Sequence, residues 1–465
     1  MSQPISPQGL EPIESVEVVD LPRSARTVST GLRVNIRGRS VRLRGLRRQP
    51  VGMLRWLLIL GPGLIATSAG NDAGGIATYS SAGAKYGYEL IWVMILLTVS
   101  YAVVQEMCSR LGAATGRGLL DLIRERYGLG WATFAVVIIL IANGGVTVSE
   151  FVGIAAAVEL LGINKYIIVP LAGALIWYLV IFGSYNRVEK IFILMTLVFF
   201  AYPAAAFLAH PDWTEVARGA FRPTLRMDSD YILILVGLLG TTLTPYIQIF
   251  QQSSLVEKGV ARRHYRNERL DAYFGAFFSN MMSVFMIIAT AATLHAVGKT
   301  EIESAADAAR ALEPVVGGAA KLLFATGLLG ASLLAGAVLP LATSYAISEA
   351  FGIPKGVNLD FRRGKVFFSL FTALIVLGMG LALIPNLPVI KLLVAVQVLN
   401  GILLPIILIF ILKLINDRHL TGELKNTPFY NVLGWGTFVL ITTAVVVLLG
   451  SQLLELLGIS IFGGR

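Results

Sequence analysis

The chain contains a single cysteine, Cys108, which excludes an internal disulfide and any cysteine-based metal site. Histidine is almost as scarce: His210, His264, His295 and His419 are scattered, mostly in loops, with no ligand spacing, so a zinc enzyme is not expected. Charge is thin as well, at 14% of residues against 55% hydrophobic, and a mean hydropathy of +0.73 is too apolar for a soluble protein of 465 residues. The class expected is an all-α polytopic membrane protein. The start of the sequence has no short apolar region followed by a cleavage site, so no cleaved signal peptide is expected.

What the chain does have is long apolar runs. Taken as spans of about 20 residues, they predict helices at 54–80, 88–109, 131–161, 166–184, 189–209, 230–251, 271–297, 319–351, 366–385, 388–415 and 429–459, about eleven in all. The net charge of +10 sits in every second loop, for example Arg110, Arg117, Arg124 and Arg126, then Lys258, Arg262, Arg263, Arg266 and Arg269. That placement argues for topology and not for a nucleic-acid partner: the N-terminus is expected in the cytoplasm and the C-terminus outside. Residues 1–50 hold nine arginines against four acids and read as a basic, flexible cytoplasmic tail, its arginines setting topology or touching anionic lipid headgroups. Nothing in the sequence points to an obligate protein partner; the lipid bilayer is the surrounding medium.

Within the first span stands one acid, Asp72, flanked by Gly70, Gly74 and Gly75. A carboxylate at mid-membrane depth is costly unless compensated and reads as an ion site, or else as one half of an ion pair between helices. The glycines weaken the helix around it, and non-helical backbone at that depth persists only where protein buries it or a watery cavity receives it. An inverted-repeat transporter that breaks its first span should break its sixth too. Span six carries Thr241, Thr242, Leu243, Thr244 and Pro245, where proline removes a backbone donor and frees carbonyls about one turn earlier, near Thr241. The expected organisation is an inverted five-helix repeat, residues 51–210 and 228–415, with broken helices one and six and an additional C-terminal helix at 429–459.

At these residues the chain resembles the NRAMP divalent-metal transporters, and more closely the NRAMP-related magnesium transporters, from about Gly61 to Asp417. The matching motifs are Gly61-Pro62-Gly63, Asp72-Ala73-Gly74-Gly75, Ala77-Thr78, Ala82-Gly83-Ala84 with Gly87-Tyr88, and Arg110-Leu111-Gly112 with Thr115-Gly116. The resemblance implies a site of aspartate and asparagine on the first helix, with methionine and a backbone carbonyl on the sixth. Here Gly75 stands for the asparagine, Thr244 for the methionine and Thr241 for the alanine of that pattern. Soft sulfur favours transition metals, and Thr244 offers only a hard oxygen. Gly75 removes a direct ligand and opens volume, which suits Mg²⁺, an ion that usually keeps several waters. The expected metal site is therefore Asp72, Thr241, Thr244, Gly75, Gln248 and Gln397 around a partly hydrated ion, with Mg²⁺ or Mn²⁺ as transported substrate and no cofactor. Each threonine has a competing role, bonding the preceding turn, and Asn280, Gln397 and Asn400 can equally bond helix to helix.

The histidines that follow the methionine in the family fall at Tyr246 and Gln251, neither a group that titrates near neutral pH. The family's third-helix acid pair falls at Thr147 and Glu150, so one of two carboxylates in its proton route is absent. These losses predict transport across the plasma membrane by alternating access without proton coupling. The alternative is a proton-coupled Mn²⁺ or Fe²⁺ importer of ordinary NRAMP type. An organic-cation carrier and a channel stay open, whereas an intramembrane aspartyl protease needs a second facing aspartate. No enzyme activity is expected.

Overall fold

The structure, a computed structural model, describes residues 32–36, 39–43, 70–182, 201–259, 265–310, 317, 320–357 and 359–457. It falls into two units, one within residues 1–57 and one within 58–465. In the first, β1 (Leu32–Ile36) and β2 (Arg39–Leu43) pair antiparallel, with Leu32 opposite Leu43 and Ile36 opposite Arg39. The rest of the expected basic tail lies outside the described residues. Leu32, Val34 and Ile36 alternate with Arg33 and Asn35, a strand period made from β-forming residues but too short to stand out in a basic stretch.

The second unit is helical. Its main elements are α1 (Ala73–Tyr86), α2 (Ile91–Thr115), α3 (Leu119–Tyr127), α4 (Leu129–Leu160), α5 (Lys165–Phe182), α6 (Ala201–Leu208), α7 (Trp213–Phe221), α8 (Ser229–Thr242), α9 (Pro245–Glu257), α10 (Tyr265–Thr293), α11 (Ala320–Phe351), α12 (Lys365–Ala382), α13 (Val389–Asn416) and α14 (Pro428–Leu456). Among the described residues nine stretches are long and apolar enough to cross a membrane, α8 and α9 counting as one. They match predicted spans two to four and six to eleven to within a turn or two. The expected spans at 54–80 and 189–209 lie partly outside the described residues, and their described portions are α1 and α6. The basic loop after span two is in part the amphipathic helix α3, which buries Leu119, Leu120, Leu122 and Ile123.

Two helix boundaries position the centre of the molecule. Helix α1 begins at Asp72, whose side chain caps it by accepting the Gly75 N–H. Helix α8 stops at Thr242 and α9 starts at Pro245, leaving Leu243 and Thr244 outside helical geometry between them. Proline is suited to the first position of α9, where its missing N–H leaves no bond unmade, and unsuited to the interior of a continuous helix.

Helix α13 crosses α8 with backbone nearly touching backbone. A methyl group on Gly240 would lie 2.0 Å from the Gln397 carbonyl oxygen and 2.4 Å from the Gly401 nitrogen, and one on Gly401 would lie 2.5 Å from the Val236 carbonyl oxygen. Small residues on both helices permit this approach, as is usual in membrane packing, and it brings Gln397 beside the break. Helix α14, by contrast, buries one narrow face, Gly434, Thr437, Ile441, Val445, Leu448 and Ser451, and turns Val432, Val439 and Val446 outward to lipid. Gly240→Ala is expected to destabilise the fold by about 1–3 kcal/mol through overpacking, while Gly436→Ala, with nothing near its Cβ, is expected to be neutral. Thermal unfolding of the two variants in detergent checks this, and equal midpoints would contradict the close crossing.

Candidate metal centre

Asp72 is fully buried where α1, α8, α9 and α13 converge. Its Oδ1 accepts the Gly75 N–H at 2.5 Å, and Gln397 Nε2 donates to Oδ1 at 2.9 Å and Oδ2 at 3.2 Å. The Tyr246 hydroxyl adds a further hydrogen bond. All these partners are neutral, so the ion-pair reading of Asp72 does not hold for its described contacts. Such donors compensate a carboxylate in an apolar interior without cancelling its charge. Gln397 can reach it because residue 74 is glycine: a methyl group there would lie 2.2 Å from Gln397 Nε2. Asn400 in turn donates to Gln397 Oε1 at 2.9 Å, fixing the amide's orientation.

Oxygen atoms crowd Gly75 next to the carboxylate. A methyl group on Gly75 would fall 2.9 Å from Thr241 Oγ1, 3.0 Å from the Gly70 carbonyl oxygen and 3.1 Å from Asp72 Oδ1. Any side chain at 75 would therefore press on three oxygens, and glycine is what lets the Thr241 hydroxyl, the Gly70 carbonyl and the Asp72 carboxylate converge there. The Thr241 hydroxyl is buried and has no protein partner, and the same holds for Gln248 Oε1 and Asn400 Oδ1. Buried polar atoms are rarely left so.

The expected site residues are therefore not all equivalent. Asp72, Gly75, Thr241 and Gln397 come together. Thr244 donates its hydroxyl to the Thr241 carbonyl at 2.9 Å, which is the back-bonding role, and Gln248 Nε2 donates to the Leu243 carbonyl at 2.9 Å. Both satisfy carbonyls freed by the break and keep an oxygen able to accept. Asn280 lies elsewhere, donating to the Met94 carbonyl at 2.7 Å and to Thr98 Oγ1 at 2.5 Å across the α10–α2 contact. Thr147 is bonded within its own helix, to the Asn143 carbonyl at 2.7 Å. Glu150 accepts the Ala73 N–H at 3.2 Å, so it caps α1 from α4, one residue beyond Asp72.

Other members of the centre carry little sequence signal. Asn71 donates to Ser279 Oγ at 3.1 Å and accepts from Ser283 Oγ at 2.7 Å, tying the non-helical start of α1 to α10. Tyr79, two turns beyond Asp72 on α1, reaches Thr242 at 3.3 Å. Asn71 could have been suspected from its place beside Asp72 at the break; the serines sit in an apolar run without a distinguishing pattern. Among the described residues no group of three or more His, Cys, Asp or Glu lies together to hold a metal. The chemistry available is the Asp72 carboxylate with that of Glu150 beside it, one unpartnered hydroxyl, and main-chain carbonyl and amide oxygens, all hard ligands. Gly75→Ala would push a methyl group against these oxygens and displace them, and is expected to weaken cation binding by about tenfold, roughly 1.4 kcal/mol. Equilibrium Mn²⁺ binding to the purified variant checks it, and unchanged affinity would exclude those oxygens from the site.

Comparison with known proteins bears on the same region. The family model for natural resistance-associated macrophage protein-like proteins, Nramp, matches residues 63–451. The divalent metal cation transporter MntH 1 of Pseudomonas aeruginosa is 32% identical over 413 residues, covering 84% of this chain and 91% of that protein. The divalent metal cation transporter MntH of Deinococcus radiodurans is 31% identical over 430 residues, covering 88% and 92%. Among solved structures, the Eremococcus coleocola manganese transporter in complex with an aromatic bis-isothiourea substituted compound has the same fold, with a TM-score of 0.70, 17% identity and coverage of 88% of this chain and 90% of that one.

Proposed function

This chain belongs to the Nramp family, and from that premise we propose that it carries Mg²⁺ and Mn²⁺ across the plasma membrane by alternating access, uncoupled from protons. The relatives are named as divalent metal cation transporters, and the chain is accordingly a divalent-metal transporter of the membrane and not an enzyme. The observation that carries the finer reading is the convergence of oxygens on Gly75, one of them the unpartnered Thr241 hydroxyl. An asparagine there would add a direct ligand; glycine adds none, which suits an ion that dehydrates reluctantly and keeps its waters. Thr244, standing where the family resemblance places a methionine, supplies no sulfur to favour a transition metal. Asp72, Thr241, Gln397 and Gln248 are assigned to the ion or its waters. The alternating basic loops favour a cytoplasmic N-terminus and an external C-terminus, so the membrane potential drives the cation inward.

Asp72→Ala is expected to abolish uptake of both ions into proteoliposomes while the protein remains folded. In the wild type Mg²⁺ in excess should compete with Mn²⁺ for one site. Mn²⁺ uptake indifferent to high Mg²⁺ would sink the hydrated hard-ion site.

The second reading, a proton-coupled Mn²⁺ importer of ordinary family type, draws on Glu150, which remains next to Asp72 at the start of α1. Against it, Tyr246 and Gln251 are not groups that titrate near neutral pH, and Thr147 is no carboxylate. Liposomes loaded with a pH dye distinguish the two: metal uptake is expected to proceed without internal acidification and to quicken with a negative interior. Acidification that accompanies uptake and disappears in Glu150→Gln would favour the proton-coupled reading.

A further inference from the structure

A stripe of uncharged polar side chains leads away from the centre along the seam between α2 and α9. Gln248, Gln251 and Gln252, three and four residues apart, share one face of α9 and are fully buried. Tyr101, Gln105 and Ser109 recur every fourth residue on α2 and are buried too. The two faces meet: Gln251 Nε2 donates to Ser109 Oγ at 2.8 Å, and a methyl group on Gly112 would lie 3.3 Å from the Gln252 side chain. At the inner end Gln248 Nε2 donates to the Leu243 carbonyl at 2.9 Å, inside the break between α8 and α9. At the far end Gln252 Nε2 donates to the Arg117 carbonyl at 2.9 Å. From Tyr101 to Gly112 the helix rises about 16 Å, towards the basic and so cytoplasmic side.

Much of the hydrogen-bonding capacity of this seam is unused. The Tyr101 hydroxyl, both amide atoms of Gln105, and the side-chain carbonyl oxygens of Gln248, Gln251 and Gln252 have no protein partner. A buried amide left in that state is penalised, and at membrane depth there is no bulk water to relieve it. One such group is an accident of packing; five side chains in a single seam are a pattern. The nearby acid, Glu106, is turned away into an ion pair with Arg110 at 3.0 Å, and Arg110 is held at 2.5 Å by Asn426. The stripe itself is therefore rich in oxygen and free of charge.

We propose that this seam is the release path for the ion bound at Asp72, with the amide oxygens of Gln248, Gln251 and Gln105 taking the place of waters on a partly hydrated divalent cation as it passes to the cytoplasm. The inference rests on the divalent-metal reading above. Neutral oxygens suit a hard cation, and without a carboxylate they hold it weakly enough to let it go. No proton transfer is required at any point along the stripe.

Gln251→Leu and Gln105→Leu remove oxygens without adding charge. Each is expected to lower the maximal Mn²⁺ uptake rate in proteoliposomes about tenfold or more. Equilibrium Mn²⁺ affinity should stay within about twofold, and the thermal midpoint of Gln105→Leu should not fall, because neither of its amide atoms has a partner, while Gln251→Leu gives up only the bond to Ser109. Gln251→Glu should bind Mn²⁺ more tightly than wild type and release it more slowly. Wild-type uptake by both leucine variants overturns the path, as does slowed uptake that merely follows lost stability or lost Mn²⁺ affinity. Should a leucine variant fail to fold, Gln251→Glu decides, and unchanged affinity and rate there overturn the path. Wild-type protein that neither binds nor moves Mn²⁺ overturns the metal reading and this inference with it, whereas normal wild-type uptake matched by the leucine variants overturns the path alone.

Discussion

An aspartate carboxylate in the apolar interior, surrounded by neutral donors, is the constraint to which the centre of this protein conforms. The same oxygen, Asp72 Oδ1, caps α1 through Gly75 and accepts from Gln397. Local helix geometry and long-range packing are therefore fixed by one atom. Glycine is needed at 74 for Gln397 to approach, and at 240 and 401 for α13 to come close enough to present it. Glu150, from a third helix, takes the next free N–H of α1. Orphan donors at a helix start are drawn to anionic groups, so two carboxylates from different elements fix where α1 begins.

The divided sixth span attaches its halves to different partners. Helix α8 is linked to α1 by Lys85 and Asp230 at 2.5 Å. Helix α9 is linked to α11 and α3 through Glu349, which accepts from Ser253 at 2.6 Å and from the Leu120 N–H at 3.1 Å. Between them, Thr244 and Gln248 bond the carbonyls of Thr241 and Leu243 with side chains. Side-chain bonds of this kind can follow a change of angle that a helical ladder cannot, which is the property alternating access requires of a hinge.

Span positions were legible because apolar runs of membrane length are long signals, and Asp72, Pro245 and the neighbouring glycines and threonines were legible because breakers and charge stand out inside them. Gln397 was harder. It meets Asp72 across 325 residues of sequence, and periodicity says which residues share a face without saying which helix that face meets. The same limit explains why Asn280, similar in type and depth, belongs to the α2–α10 contact instead. Asn71, Tyr79 and Ser283 were missed because each is a common polar residue whose role depends on a partner from another element. The paired strands at 32–36 and 39–43 carry little signal because five-residue strands offer too few alternations to outweigh a basic composition.

On the proposed reading, selectivity arises by subtraction. A site with asparagine and methionine gathers an ion by direct bonds, one of them soft, and so favours metals that shed water and accept sulfur. Replacing both with glycine and threonine leaves the Asp72 carboxylate, a hydroxyl and carbonyl oxygens as the direct ligands on offer. Water then does much of the coordinating, and ions are ranked by how they hold their hydration shells more than by how they bind protein. A loosely held ion is also easier to hand on. The uncharged glutamines below the centre match that demand, since a carboxylate or thioether at the same place would trap what the site above is built to hold lightly.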